Sequence, residues 1–355
     1  MEDAARLLQL VVNGAAAGCI YGLIALGFVL IYKATEMVNF AQGDIMMMGG
    51  FFAFALIAHW GLPYWIGALL AIALTAAFGY ALDAVLLRRV IGQPQFAVVM
   101  LTLGLGFIFR AAAGITWGYD SVGFNTPFTN RTVNLGGLVI GQDNVSIIVG
   151  TVLLCLVLYV FFSRTRLGVA MQASSQNQLA AYYMGIPVRR VFSLIWAISA
   201  GVAALAGILL SPVSMIDVNM GFLGIKAFAA AVIGGFGSIP GALVGGVIVG
   251  VVEQLAGYYL PAGFQEVSAN TVLLATLFLR PQGLFAESMG KRVYPPCDIC
   301  SAPIIDRTSG CGAIAATCSG TACCCWHCWP FPTCWASSMS ANSAPCSSSP
   351  SPASG

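Results

Sequence analysis

Three ionisable side chains, Asp83, Arg110 and Glu253, stand inside long apolar runs. A charge at the centre of a membrane helix costs about 2.5–3.5 kcal/mol on insertion scales, so such groups face a bundle interior or a water-lined path. The chemistry open to them there is the binding of a polar solute or the relay of a proton or ion. Asp83 also has a plainer reading, since it lies about one turn from the end of its run and can snorkel toward Arg88 or Arg89. Arg110 lies deeper, where it serves either a solute or a lock between helices. The run Asn39-Phe40-Ala41-Gln42-Gly43-Asp44 sets carbonyl, amide and carboxylate groups between two apolar stretches with almost no room for a loop. Such groups need partners, which a water-lined vestibule or an ordinary tight turn would supply. Asn39, Gln42, Asp44 and Arg110 are therefore the candidate lining of a path.

The elements that position these groups must be membrane spans. Of 355 residues only 8% are charged and 59% are apolar, with a mean hydropathy of +0.87. A soluble chain carries roughly a quarter charged residues, so a cytosolic enzyme is excluded. The net charge of +2 is too small and too scattered for a phosphate-binding surface, and no nucleic-acid partner is expected. A span needs about 20 apolar residues. Cutting the chain at charges, Pro and Gly predicts an all-α, polytopic membrane protein with eight transmembrane helices, at 8–32, 45–60, 63–87, 96–116, 145–163, 191–211, 241–260 and 267–279. The apolar stretch 227–236 is too short to cross alone. It reads as a re-entrant or broken helix, tolerated where protein or water satisfies its backbone.

Lys and Arg in short loops orient the spans. With 164–190 in the cytoplasm, Lys33, Arg88, Arg89, Arg164, Arg166, Arg189 and Arg190 share that side; Arg280, Lys291 and Arg292 join them if the stretch before Phe236 completes a crossing. Arg6, Arg131 and Lys226 remain outside, with the N-terminus and the polar loop 117–144. Glu2 and Asp3 in place of a basic region argue against a cleaved signal. Gly237, Gly241 and Gly245 recur every four residues, as do Gly246 and Gly250. That interval lets helix backbones approach closely in lipid. Met46-Met47-Met48 reads as core filler.

Of the twelve Cys, only Cys19 and Cys155 precede position 297. The others lie in a tail, 294–355, whose composition shifts to Ser, Pro, Ala, Trp and Cys. Cys297/Cys300 and Cys325/Cys328, with His327 nearby, have the pairing of a zinc module. The pairs are far apart, however, and no alternating pattern supports a fold around them. The tail is expected to be a disordered or aberrant extension, resembling out-of-frame translation of a GC-rich gene. No metal site is assigned to it, and no cofactor is expected anywhere in the chain.

The longest internal loop, 164–190, mixes Ala, Leu, Met and Tyr with Ser and Gln over 170–184, then stops at Gly185-Ile186-Pro187, a natural helix ending. A short amphipathic helix there would dock a soluble partner or rest on lipid headgroups. The chain contains no G-x-x-x-x-G-K-[ST] pattern, so an ATP-driven process would need its ATPase on another polypeptide.

Five runs in order carry a resemblance: Asn39-Phe40-Ala41-Gln42-Gly43-Asp44, then Gly185-Ile186 with Arg190, then Gly224-Ile225-Lys226-Ala227-Phe228, then Gly234-Gly235-Phe236-Gly237-Ser238-Ile239-Pro240-Gly241, and last Arg280-Pro281-Gln282-Gly283-Leu284-Phe285. Over about 8–285 the chain resembles the LivH-type permease of branched-chain amino acid ABC importers. The resemblance implies a multi-pass subunit of the bacterial inner membrane that performs no covalent chemistry. It implies four kinds of association: a second related permease, two cytoplasmic ABC ATPases, a periplasmic substrate-binding protein and membrane lipid. It assigns contact with the ATPase to Ala181, Gly185, Ile186 and Arg190. The chain departs from the family pattern at Gln176 and Asn177, where acidic residues are common. On this reading 1–293 is the permease domain, and leucine, isoleucine and valine, or similar small polar solutes, are the cargo. A second class stays open, an ion- or proton-coupled secondary transporter using Arg110, Asp83 or Glu253 as a relay; dependence on ATP separates the two.

Overall fold

The computed structural model describes residues 2–90, 94–124, 126–127, 132–135, 138–261 and 263–285. All of them belong to one compact unit, Met1–Met289. The tail with its Cys pairs lies outside the described residues, as do Arg131, Lys291 and Arg292.

Eleven helices are present among the described residues, in the order α1 (Glu2–Thr35), α2 (Gln42–Phe54), α3 (Tyr64–Val85), α4 (Gln95–Trp117), α5 (Gln142–Arg164), α6 (Arg166–Gln176), α7 (Gln178–Tyr183), α8 (Val188–Leu210), α9 (Leu223–Gly234), α10 (Ile239–Tyr259) and α11 (Phe264–Leu279). A π turn, Ala55–His59, extends α2, and a 3-10 turn, Val218–Phe222, leads into α9. The boundaries follow local chemistry. Pro63, Pro94 and Pro187 stand immediately before α3, α4 and α8, where a missing N–H removes no helical bond. The Ser238 hydroxyl caps α10 by accepting from Gly241 N. A small antiparallel hairpin, β1 (Thr132–Leu135) with β2 (Leu138–Gly141), precedes α5.

Among the described residues, six helical segments are long and apolar enough to cross a membrane, the ones containing α1, α3, α4, α5, α8 and α10. The expected spans 45–60 and 267–279 are shorter elements than a standard span. The helix at α2 starts inside the bundle and finishes in a π turn, and α11 stops where Arg280-Pro281 ends its apolar run. The stretch 227–236 runs through the second half of the 218–234 segment of 3-10 turn and α9 and ends two residues past it, in the turn before α10.

The core is asymmetric. Helices α1 and α8 are enclosed by their neighbours, whereas α3, α4 and α5 present large apolar side chains outward, among them Leu69, Phe107, Ile115 and Val152. So much exposed apolar surface suits lipid, not water. Helix α1 runs antiparallel to α10 along a glycine seam: a Cβ on Gly14 would meet Val251 Cα at 2.7 Å, and one on Gly18 would meet Val247 Cα at 2.6 Å. Helices α2 and α8 run parallel and touch at Gly49–Ala204 and at Gly207 against Met46 and Gly50. Met46 and Met47 are fully buried there.

Contacts between the helix ends separate two faces of the bundle. Lys33 Nζ donates to Gly237 O at 3.3 Å, which joins the end of α1 to the turn before α10. At the other face, Asn144 Nδ2 donates to Asn13 Oδ1 at 2.9 Å, and Val122 and Ile216 exchange backbone hydrogen bonds of 2.9 and 2.8 Å. The face with Lys33, Arg88 and the α6–α7 pair carries most of the basic residues that the charge rule counts.

Candidate functional site

The polar run after α1 does not form a surface turn. Glu36 adopts φ 56°, the one non-glycine residue in the left-handed region among those described, and the chain turns back into the bundle. Asn39 Oδ1 accepts from Ala41 N at 3.1 Å, and Asn39 Nδ2 donates to Gln42 Oε1 at 3.3 Å. Helix α2 then begins at Gln42, whose Nε2 donates to Ser199 O at 3.3 Å. The Ser199 hydroxyl lies 3.0 Å from Gly27 O and 3.2 Å from Gln42 Oε1. Gly27 leaves room for the Gln42 amide, which a Cβ there would displace. Gly27 lies about 12 Å of helix before the end of α1, and Ser199 lies midway along α8. In a hydrocarbon layer about 30 Å thick, this buried amide cluster is near the middle.

Two residues further along α2, the Asp44 carboxylate accepts from Arg110 Nε of α4 at 2.6 Å. It occupies a notch between Gly106 and Gly221, where a Cβ on either glycine would collide with it. Phe222 covers the guanidinium at 3.8 Å from its ring centroid, with Phe107 further off at 5.7 Å. The Asp44 side chain is 5% exposed and that of Arg110 18%. Ion pairing, a cation–π contact and the position of Asp44 in the first turn of α2 together keep this charge tolerable in a low-dielectric setting.

Aromatic rings from three of the sequence runs converge between this cluster and the face that carries Lys33. Phe228 lies 5.3 Å from Phe40 and 5.6 Å from Phe236, and Phe236 lies 4.8 Å from Tyr32.

The other two intramembrane charges are paired separately. The Ser193 hydroxyl donates to Asp83 Oδ2 at 2.6 Å, and Arg88 Nη2 reaches Ser193 Oγ at 2.6 Å, with Arg88 Nε 3.5 Å from Asp83. Lys226 Nζ donates to Glu253 Oε1 at 2.6 Å. Lys226 is thus part of α9, not of an external loop as its short apolar neighbourhood suggests. Asp83, Arg110 and Glu253 are distributed over three helix junctions, α3–α8, α2–α4 and α9–α10, and form no chain. At the face opposite Lys33, a cavity of about 250 Å³ is lined by Asn13, Tyr21, Asn144 and Gln254 among others.

The segment 164–190 holds two helices, α6 and α7, in place of the single one expected over 170–184. Asn177 interrupts it, because its side chain accepts from Ala180 N and caps α7 anew. At the end of α7, Ile186 N donates to Ala181 O at 3.0 Å and Gly185 N to Tyr182 O at 3.0 Å, with Gly185 at φ 82°, a glycine-terminated helix end. Ala181 is buried, Ile186 half-buried, and Gly185 and Arg190 are exposed. Tyr182, Tyr183 and Met184 project beside them, each more than two-thirds exposed.

Of the glycines picked out by spacing, Gly241 and Gly245 meet the backbone of α9 at Gly234 and Ala230, while Gly246 and Gly250 meet α1. Gly237 is not on that face: it precedes α10, and its carbonyl receives Lys33. Ser193, Ser199 and Phe222 escaped the sequence reading. A serine in an apolar helix is a weak signal, since its hydroxyl can return to a carbonyl four residues back. Nothing in the sequence marks Phe222 as the cover of Arg110. No group of three or more His, Cys, Asp or Glu that could hold a metal occurs among the described residues.

Comparison with known proteins adds an independent line. Residues 10–280 match the family described as branched-chain amino acid transport system, permease component. The chain is similar to the high-affinity branched-chain amino acid transport system permease protein BraD of Pseudomonas aeruginosa, 33% identical, with 82% of this chain and 100% of that protein covered. It is similar to the corresponding permease protein LivH of Escherichia coli K12 at 32% identity, over 82% and 99% of the two chains. A probable LivH of Methanocaldococcus jannaschii is 30% identical over 74% of this chain and 87% of its own.

Proposed function

This chain belongs to the family of permease components of branched-chain amino acid transport systems, and we propose that it supplies half of the transmembrane path of an ATP-driven importer for leucine, isoleucine and valine. It is a transport subunit of the inner membrane and not an enzyme. The observation that carries the path is the start of α2 in mid-bundle: a helix that begins inside the membrane on buried Asn39, Gln42 and Asp44, facing Ser199 and Arg110. Broken helices of this kind put polar backbone and side chains at the midplane where a solute must pass.

On this reading the membrane-crossing helices are α1, α2 with its π turn, α3, α4, α5, α8, α10 and α11, and the N-terminus faces outward. The 3-10 turn with α9 is a broken helix that completes a further crossing, which the antiparallel course of α10 to α1 and the bond of Lys33 to Gly237 support. A second related permease completes the path, a periplasmic binding protein delivers the solute, and two ABC ATPases dock at Ala181, Gly185, Ile186 and Arg190. The exposed Tyr182-Tyr183-Met184 edge supports docking there, since apolar side chains standing beyond the headgroups need a cover. ATP binding and hydrolysis bias the path between outward-open and inward-open states through that contact. Residues 1–293 suffice for this, and 294–355 take no part.

The test is ATP-dependent uptake of radiolabelled leucine by proteoliposomes holding the chain, its partner permease and ATPases, with binding protein added. Truncation after Arg292 should leave the rate unchanged. Uptake that ignores ATP and follows a proton or sodium gradient would overturn the reading.

A further inference from the structure

We propose that Asp44 and Arg110 are a resident ion pair which a zwitterionic amino acid splits, its ammonium group taking the place of Arg110 at Asp44 and its carboxylate the place of Asp44 at Arg110. The inference rests on the path reading above and adds the chemical rule by which that path accepts a solute.

Charge balance is the first ground. The pair stands near the middle of the membrane, with Asp44 all but closed from solvent and Arg110 only slightly open. Neither charge can be left alone there, because a buried ion without its partner is far less stable than a paired one. A zwitterion brings one charge of each sign, so every ion has an opposite partner before and after the exchange. An uncharged amide or a sugar cannot part the two without stranding both. A solute with a single charge strands one.

Geometry is the second ground. The hydrogen bond between the two uses Arg110 Nε and a single Asp44 oxygen. Asp44 therefore leaves unused the two-pronged grip with which a guanidinium holds a carboxylate best. The Asp44 carboxylate sits between Gly106 and Gly221 with no side chain on either, a notch that admits a compact ammonium group. The elements that meet here touch through glycine: a Cβ on Gly43 would stand 2.8 Å from Gly224 Cα. Parting the pair requires α4 to shift against α2, and these meet at the notch where Gly106 adjoins Asp44 without a side chain of its own.

The third ground is what surrounds the charges. Phe222 lies on the guanidinium face, and Phe107 stands next to it, 49% and 68% exposed respectively. Beside a carboxylate held by Arg110, these rings offer an apolar surface to an aliphatic side chain. The site thus combines a grip for both charged groups of an amino acid with a surface for a branched hydrocarbon.

The experiment uses the assembled complex in nanodiscs without binding protein, so that selectivity belongs to the membrane subunits. Displacement of radiolabelled L-leucine is measured with L-leucine, L-leucinamide, 4-methylpentanoate and 4-methylpentanamide, which remove the carboxylate charge, the ammonium or both. L-leucine should compete best, with each of the other three weaker by on the order of a hundredfold. In Asp44→Asn the advantage of leucine over 4-methylpentanoate should disappear; in Arg110→Gln the advantage over leucinamide should disappear. Asp44→Glu and Arg110→Lys should retain the order of the four compounds. Equal competition by all four in the wild-type complex overturns the inference without reference to any variant. A uniform loss in both neutral variants, with the pattern among compounds preserved, also overturns it and leaves the pair as a lock between helices. Either result is distinct from failure of the path reading, which would show as absence of ATP-driven leucine uptake by the wild-type complex.

Discussion

The seam between α1 and α10 and the junction of α2, α4 and the 3-10 turn at Val218–Phe222 both depend on glycine, yet glycine does opposite work in them. Along the seam Gly14, Gly18, Gly246 and Gly250 bring backbone against backbone, with no side chain between. Such contact gains from dispersion over the full length of two helices, and in lipid, where burial of apolar surface drives nothing, that is the main source of association. At the junction Gly106 and Gly221 make room for a carboxylate, and Gly27 makes room for an amide. There the attraction lies in a few directional polar contacts, each strong in a low dielectric and each able to be exchanged for another of the same kind. The seam therefore reads as the frame and the junction as the part that moves.

The largest effect should come from spoiling the seam. Gly18→Leu would drive a side chain into Val247 Cα, a backbone atom that cannot give way without displacing α10. Little folded protein should survive detergent extraction. Gly18→Ala should lower stability by at least the 1–3 kcal/mol typical of overpacking, measured by thermal unfolding of the purified chain. An alanine variant that melts with the wild type would mean that the frame yields, and the contrast with the junction would be lost.

Next in size is the junction. Arg110→Gln leaves the Asp44 charge in place without a partner, at a cost of about 3–5 kcal/mol. The double variant with Asp44→Asn removes both charges and should recover most of that loss while leaving transport abolished. A double-mutant cycle on unfolding, run beside the uptake assay, separates stability from function. Additive effects would show that the two side chains do not act as a pair.

Physical distance decides how much of this was legible in the sequence. The long spans were readable because their limits are local: Pro63 and Pro94 fix the starts of α3 and α4, and composition alone indicates lipid around them. The polar run 39–44 was readable as unusual, but its depth was not. Its depth depends on a left-handed Glu36 and on Ser199, which lies 157 residues away from Gln42 along the chain. Lys226 reads as an outside charge for the same reason, since Glu253 meets it only through the packing of α9 on α10. Glycine spacing predicted close approach along α10 but not that Gly237 precedes the helix. In the sequence Asn177 stands out only by the charge it lacks, while its structural effect, a second helix start, is a local hydrogen bond that the composition of 170–184 conceals.

A smaller effect, and one that tests how the drive reaches the junction, is expected at Gly185. Its φ of 82° disfavours any other residue by about 1–2 kcal/mol, yet nothing lies near the place a Cβ would take. Gly185→Ala should therefore impose backbone strain alone, and Gly185→Trp should add an obstacle to a docked ATPase. Both should insert and melt much as the wild type does. Binding-protein-stimulated ATPase activity of the reconstituted complex should drop in both, and further with Trp. Normal stimulation in the tryptophan variant would show that the motion enters elsewhere than through α7.

The smallest effect belongs to Asn177, and its size is its use. The side chain caps α7 by one hydrogen bond to Ala180 N, and loss of an N-cap lowers helix stability by about 0.5–2 kcal/mol. A helix of six residues is too short to persist on its own propensity. Asn177→Ala should thus loosen 178–183 while α1, α8 and α10 keep their protection. Hydrogen exchange followed by mass spectrometry would show faster exchange confined to that stretch. Asn177→Asp retains the cap and adds a negative charge at the helix start, where the dipole favours it, so it should exchange no faster than wild type. If Asn177→Ala instead raised exchange at Ser199 or around Gln42, the docking helices and the mid-membrane cluster would form one cooperative unit, and the division between fixed seam and movable junction would have to be redrawn to include the cytoplasmic helices with the part that moves.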